Sequence, residues 1–142
     1  MKTRQYIALI TFITLFVFAT NAQNQTSTIE IHITDIQSAE GTIRIGLYNS
    51  ESNFYKQIFR SVAIKAKKGA LKITLNDIPY GEYAISLYHD ENNNKKLDSN
   101  FFKIPKEPYG TSNNAKGSFG PPKWEDAKFS VSEQIVNQSI EL

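Results

Sequence analysis

Thr28–Ile36 reads TIEIHITDI, with Ile29, Ile31 and Ile33 on one side of an extended chain and Glu30, His32 and Thr34 on the other. Period-two alternation of this kind marks a strand with one face in a core and one in water. The same pattern recurs in Thr42–Tyr48 (TIRIGLY), Ser61–Ala66 (SVAIKA), Ala70–Leu75 (ALKITL) and Glu82–Tyr88 (EYAISLY). Lys128–Leu142 adds one or two closing strands, divided by a turn over Glu133–Asn137. No amphipathic helix interrupts the series. Six or seven short strands spaced roughly ten residues apart predict an all-β chain, an antiparallel Greek-key β-sandwich, with a small barrel as the alternative. The first two strands read as a hairpin through Gly41. The next two are joined by Lys67-Lys68-Gly69, where the glycine suits a turn needing positive φ. Lysines at that strand end discourage edge pairing and make Ser61–Ala66 a candidate edge. Between Asn49 and Phe59 the pattern breaks into a turn or short helical cap, whose Phe54, Ile58 and Phe59 could cover an open end.

The chain has 142 residues and no cysteine, so burial must supply the stability without disulfides. Residues 1–22 have the layout of a secretory signal peptide: Lys2 and Arg4, an apolar run from Ile7 to Phe18, then the small residues Thr20-Asn21-Ala22. The run is shorter than the roughly 20 residues a bilayer requires, so cleavage is expected rather than anchoring. Residues 23–142 then form a single domain with no membrane span in the mature form, exported to the periplasm or secreted. Without Lys2 and Arg4 the 16 basic residues fall to 14, equal to the 14 acidic ones. A neutral mature chain gives no support for nucleic acid, or an anionic membrane, recognised through bulk charge.

From Tyr88 to Phe129 the period is lost for about forty residues, a length that in a compact domain is functional or disordered. Four prolines, four phenylalanines and the only tryptophan argue for order. The segment reads as one long ordered loop on a β scaffold, and two constellations in it could carry chemistry. The first is Asp90, Asn92, Asn94 and Asp98, with the carbonyl of Lys96. Calcium takes six to eight hard oxygens, and oxygens on alternate residues of a tight loop can wrap one ion. Against this, Lys95 stands where such loops need glycine and Phe101 where a bidentate glutamate closes the shell; Asn and Asp are also ordinary turn formers. The second is Tyr109, Asn113, Asn114 and Trp124, where aromatic faces beside amides could hold a sugar ring or a peptide. The competing reading is that these side chains pack the loop onto the sheets.

Catalysis has little support. His32 and His89 are the two histidines, they sit on separate segments, and no nucleophile-elbow or metalloprotease motif is present. The chain is read as a non-enzyme.

Several stretches together resemble an exported bacterial family catalogued as domain of unknown function 2141. They include Gly81-Glu82-Tyr83, His89 through Asn94, Leu97-Asp98, Asn100-Phe101-Phe102, Pro105-Lys106-Glu107 and Tyr109-Gly110. Ser112-Asn113-Asn114, Gly120-Pro121-Pro122 and Asp126-Ala127-Phe129 complete the pattern, strongest over residues 78–131. Glycine is usual in that pattern at Lys95 and Lys103, and an aromatic at Thr111. The resemblance implies small secreted or periplasmic β-sandwiches similar to prealbumin-like and immunoglobulin-like modules, and no established activity.

The expected function is that of a binding module for carbohydrate, peptide or another envelope ligand, with calcium at the Asp90–Asp98 loop as a candidate cofactor. The alternative is a structural or assembly protein of the cell envelope working through protein contacts.

Overall fold

The computed structural model describes residues 25–142; the leader expected over residues 1–22 lies outside the described residues. The alternation of the first strand decides the layering. β1 (Thr26–Ile36) buries Ile29, Ile31 and Ile33 completely. Its polar face turns outward, where Glu30 meets Lys72 of β4 (Gly69–Pro79) at 2.8 Å. β4 runs antiparallel along one side of β1, and β8 (Ile135–Glu141) runs parallel along the other.

The second sheet has the order β3 (Arg60–Lys65), β2 (Thr42–Tyr48), β5 (Gly81–Asp90), β6 (Tyr109–Thr111). β7 (Phe129–Val131) pairs with β5 over Gly81–Tyr83. Ile43, Ile45 and Leu47 of β2, with Tyr83, Ile85 and Leu87 of β5, share one core with the isoleucines of β1. Each such side chain, fully buried, contributes about 1.5–3 kcal/mol.

A smaller core forms on the opposite face of the second sheet. Tyr48 and Ala84, paired across β2 and β5, lie under Phe54, Trp124 and Ala127. Trp124–Ala127 is a single helical turn, α1. Ser112 is completely buried between the layers: its Oγ accepts the Ile85 N–H at 2.9 Å and donates to the Ala127 carbonyl. The cap expected from Asn49–Phe59 is a 3-10 turn at Glu51–Asn53; Phe54 is buried, while Ile58 and Phe59 remain exposed.

Three expectations are corrected. β1 and β2 are not a hairpin: the chain crosses between sheets at Gly41, whose φ of 74° and close approach to the Asp90 carbonyl exclude a side chain. β3 and β4 likewise belong to different sheets, and β3 is an edge strand of the second. Pairing is not wholly antiparallel, because β8 lies parallel to β1. Alternation reports which face of a strand is buried and is blind to its neighbour and its direction. The turn before β8 also falls earlier than expected, since Ile135 already pairs with Thr28. No helix among the described residues is long and apolar enough to cross a membrane.

Candidate functional site

Alternation that sends Ile43, Ile45 and Leu47 inward sends Arg44, Gly46 and Tyr48 outward, beside Tyr88, Ser86 and Ala84 of β5. At the end of this outer face β5 delivers Asp90, whose exposure is 0%. Its Oδ2 accepts the Arg44 Nε–H and the Lys95 backbone N–H at 3.0 Å; its Oδ1 accepts the Asn94 N–H at 2.9 Å. Burial alone would raise the Asp90 carboxyl. The Arg44 guanidinium and the two backbone N–H groups outweigh it and hold the carboxyl below its ordinary value.

The rest of the Asp90–Asp98 loop winds around that anchor. Asn92 and Asn94 donate their amide N–H groups to the Asp98 carboxylate at 2.7 to 3.0 Å. Asn92 Oδ1 accepts the Asn94 N–H, and Asn94 Oδ1 accepts the Lys96 N–H. Glu107, buried, closes the base by accepting the backbone N–H groups of Glu91 and Asp98 at 3.1 and 2.9 Å. Asn93 and Lys95 take φ of 58° and 67°, a left-handed conformation that is strained for a lysine. His89 is buried, with Nε2 2.6 Å from the Glu40 carbonyl oxygen.

Next to this loop the outer face gathers tyrosines. Tyr109 of β6 stands opposite Tyr88, and Thr111 opposite Ser86. Tyr55 lies 6.1 Å from Tyr48, ring centre to ring centre. Burial raises the hydroxyls of Tyr48, Tyr55 and Tyr88, with Thr111 and Ser86 acting against it at Tyr55 and Arg44 at Tyr88. All three are neutral hydrogen-bonding groups at neutral pH. Beside Tyr109, which is 49% exposed, opens a groove of about 350 Å³. Asn114, Lys116, Gly117, Glu141 and Leu142 are among its lining residues. Asn114 Oδ1 accepts the Glu141 N–H at 2.9 Å.

A family model described as an uncharacterized protein conserved in bacteria (DUF2141) matches residues 31–139. The chain belongs to that family. No curated protein and no solved structure matches it.

In this DUF2141 member the matched stretch takes in the Asp90 loop and the tyrosine face together. The four residues grouped as ligand contacts in the sequence separate in space. Tyr109 and Asn114 line the groove. Asn113 and Trp124 do not: the Asn113 amide straps the carbonyls of Asp126 and Lys128 at 3.2 and 2.9 Å. Trp124 is 6% exposed and packs edge-on against Phe54 at 5.7 Å. A ring that large is drawn under the loop by the apolar area it hides. Among the expected metal ligands, Asp90 and Asp98 take charge-assisted or amide hydrogen bonds from the protein, and Lys96 offers its N–H to Asn94. Arg44, Glu107, Tyr48, Tyr55, Tyr88 and Glu141 were not singled out by sequence reasoning. The available signal was their place on the polar side of TIRIGLY and EYAISLY for Arg44, Tyr48 and Tyr88, and the Pro105-Lys106-Glu107 stretch of the family pattern for Glu107; Tyr55 and Glu141 had none.

Proposed function

We propose that this chain is an exported, non-enzymatic binding module of Greek-key sandwich type, akin to prealbumin-like and immunoglobulin-like modules. Its ligand is a carbohydrate-bearing component of the cell envelope. The observation that carries the reading is Tyr109, half exposed where a groove meets a face of neutral tyrosine hydroxyls. An aromatic ring covers the apolar face of a sugar, while Asn114, Lys116 and Glu141 supply a donor amide and both signs of charge for its substituents. That mixture suits an amino sugar carrying a short peptide better than a plain hexose. Calorimetric titration with soluble peptidoglycan fragments, chitooligosaccharides and glucose oligomers tests it. Saturable binding to the first class, weakened about tenfold or about 1.4 kcal/mol by Tyr109→Ala, is the expected result. Binding indifferent to that substitution places any ligand elsewhere.

Calcium is the second reading. In its favour, Asp90 accepts the backbone N–H groups of Asn94 and Lys95, and Lys95 has the left-handed φ, as a cation loop requires. Against it, Arg44 already occupies the buried Asp90 carboxylate. Unfolding with calcium and with a chelator separates the two: saturation at about one hundred times the Kd adds about 2.7 kcal/mol, and an unchanged curve leaves Arg44 as the cation of this loop. The assembly alternative rests on β3 as an exposed sheet edge, and sedimentation across a concentration series detects it.

A further inference from the structure

Between the Asp90 loop and β6 the chain throws out a short hairpin over Asp98–Lys106, tied by its own backbone. Ser99 bridges to Pro105, the Asn100 N–H reaches the Ile104 carbonyl at 2.9 Å, and the Lys106 N–H reaches the Asp98 carbonyl at 2.8 Å. Asn100 Oδ1 accepts the N–H groups of Phe102 and Ile104 at 2.9 and 3.0 Å. The turn stands with Phe101 95% and Phe102 79% exposed. The two rings pack edge-to-face at 5.6 Å, with Ile104 exposed beside them in sequence. Exposed apolar clusters of this kind mark interaction sites.

The charges around the hairpin say what covers it. Lys95, Lys96, Lys103 and Lys106 are all exposed, and none forms an ion pair among the described residues. Three of the nearby carboxylates are turned to internal use: Asp90 to Arg44, Asp98 to the Asn92 and Asn94 amides, Glu107 to backbone N–H groups. Glu91 remains exposed, 3.9 Å from His89, so the four lysines outnumber the one carboxylate left facing solvent. Two of the lysines, Lys95 and Lys103, sit at φ of 67° and 61°, where glycine would be less strained. Lys103 lies between Phe102 and Ile104 in sequence, so one of these strained positions puts a positive charge within the apolar tip itself.

We propose that the Asp98–Lys106 hairpin docks this protein on an anionic lipid surface, with Phe101 and Phe102 entering the headgroup–acyl boundary and the four lysines meeting lipid phosphates. A convex tip suits a bilayer, which deforms around it, where a protein partner would need a matching pocket. Phenylalanine rings at the boundary and lysines beside acidic headgroups are the two signals that together anchor a peripheral protein. The local charge does this work while the mature chain stays formally neutral.

The test uses residues 25–142, which hold every described strand of both sheets, and vesicles of phosphatidylcholine with or without about 30 mol% phosphatidylglycerol. Cosedimentation is expected on the anionic vesicles, to weaken severalfold between about 0.1 and about 0.5 M salt, and to be weak on neutral ones. Phe101→Ser with Phe102→Ser should lower it at least about tenfold; Lys95→Gln with Lys103→Gln should lower it severalfold on anionic vesicles alone. Phe101→Trp, which keeps the tip apolar, should shift its fluorescence to the blue on anionic vesicles. Failure of the parent to bind any vesicle, or binding untouched by the Phe substitutions, overturns the proposal and leaves the tip to a protein partner. Binding that ignores lipid charge overturns the role given to the lysines. Sugar titrations at Tyr109 are unaffected by either outcome.

Discussion

Arg44→Met is the perturbation that weighs the buried anchor of the long loop. The Asp90 carboxylate has 0% exposure, while the Arg44 side chain keeps 24%. Removing one partner of a buried pair costs about 3–5 kcal/mol, because the charge left behind is uncompensated. The two partners are not equivalent. Without Arg44, Asp90 retains only the Asn94 and Lys95 N–H groups of the protein. Without Asp90, Arg44 can rehydrate through its exposed quarter, and the two N–H groups belong to exposed residues. Arg44→Met should therefore cost about 4 kcal/mol, as for a broken buried pair, and Asp90→Ala about 2–3 kcal/mol, nearer the cost of leaving hydrogen-bonding groups unsatisfied. At about 3–6 °C per kcal/mol for a domain near this size, Tm falls by roughly 15 °C in the first and 10 °C in the second. Urea unfolding of both single variants and of the double variant gives the coupling directly. A cost under about 1 kcal/mol for Arg44→Met would show that the carboxylate is not held by the guanidinium. A larger loss in Asp90→Ala than in Arg44→Met would show that the loop needs an acceptor and not a compensated charge.

Two further expectations follow from the same frame. The folded Asp90 carboxyl lies below its ordinary value of 3.8, so its stabilisation is complete above that pH and is lost as pH falls through the lower folded value. Stability of the parent should drop steeply below about pH 4, and Arg44→Met, whose Asp90 protonates more readily, should show a flatter acid limb. At Gly110 an added Cβ would lie 2.6 Å from Ile140 Cγ2 and 2.8 Å from the Glu141 carbonyl oxygen. Gly110→Ala should cost about 1–3 kcal/mol by overpacking and loosen the groove at Tyr109, read as lower Tm together with altered ligand affinity; an unchanged Tm would mean that β6 is free to move away from β8.

The five long alternating strands were legible because a half-buried strand writes its own face pattern into the sequence. β6, of three residues, is too short to carry a period and reads as loop, while β7, equally short, is legible only as the first of the closing strands through Phe129 and Val131. Which strands pair was not legible: TIEIHITDI and TIRIGLY look like hairpin arms, yet the turn between them at Gly41 joins different sheets. At the site, the loop Asp90–Asp98 stood out through its regularly spaced oxygens. Its partner Arg44, 46 positions earlier, did not, because a lone arginine on a polar strand face is indistinguishable from a solvated one. Trp124 reads as a contact residue for the opposite reason: a loop tryptophan says nothing in sequence about whether it lies over or under the chain.

The parallel seam between β1 and β8 has a bearing on how the chain is made. β1 is the middle strand of its sheet, and the Ser27 hydroxyl already reaches the Gln134 carbonyl, 107 positions away. During synthesis β4 can cover one flank of β1 early, but the other flank stays bare until residues 135–141 have left the ribosome. Until then Ile29–Thr34 offers an open row of backbone donors and acceptors beside an apolar face, the surface on which unfinished chains adhere to one another. A ribosome stalled between β7 and β8 would release a self-adhesive intermediate, and pairing across so long a separation is slow. The last seven-residue strand thus acts as the latch of the fold, and an escort that shields the first strand until it arrives would keep unfinished chains apart.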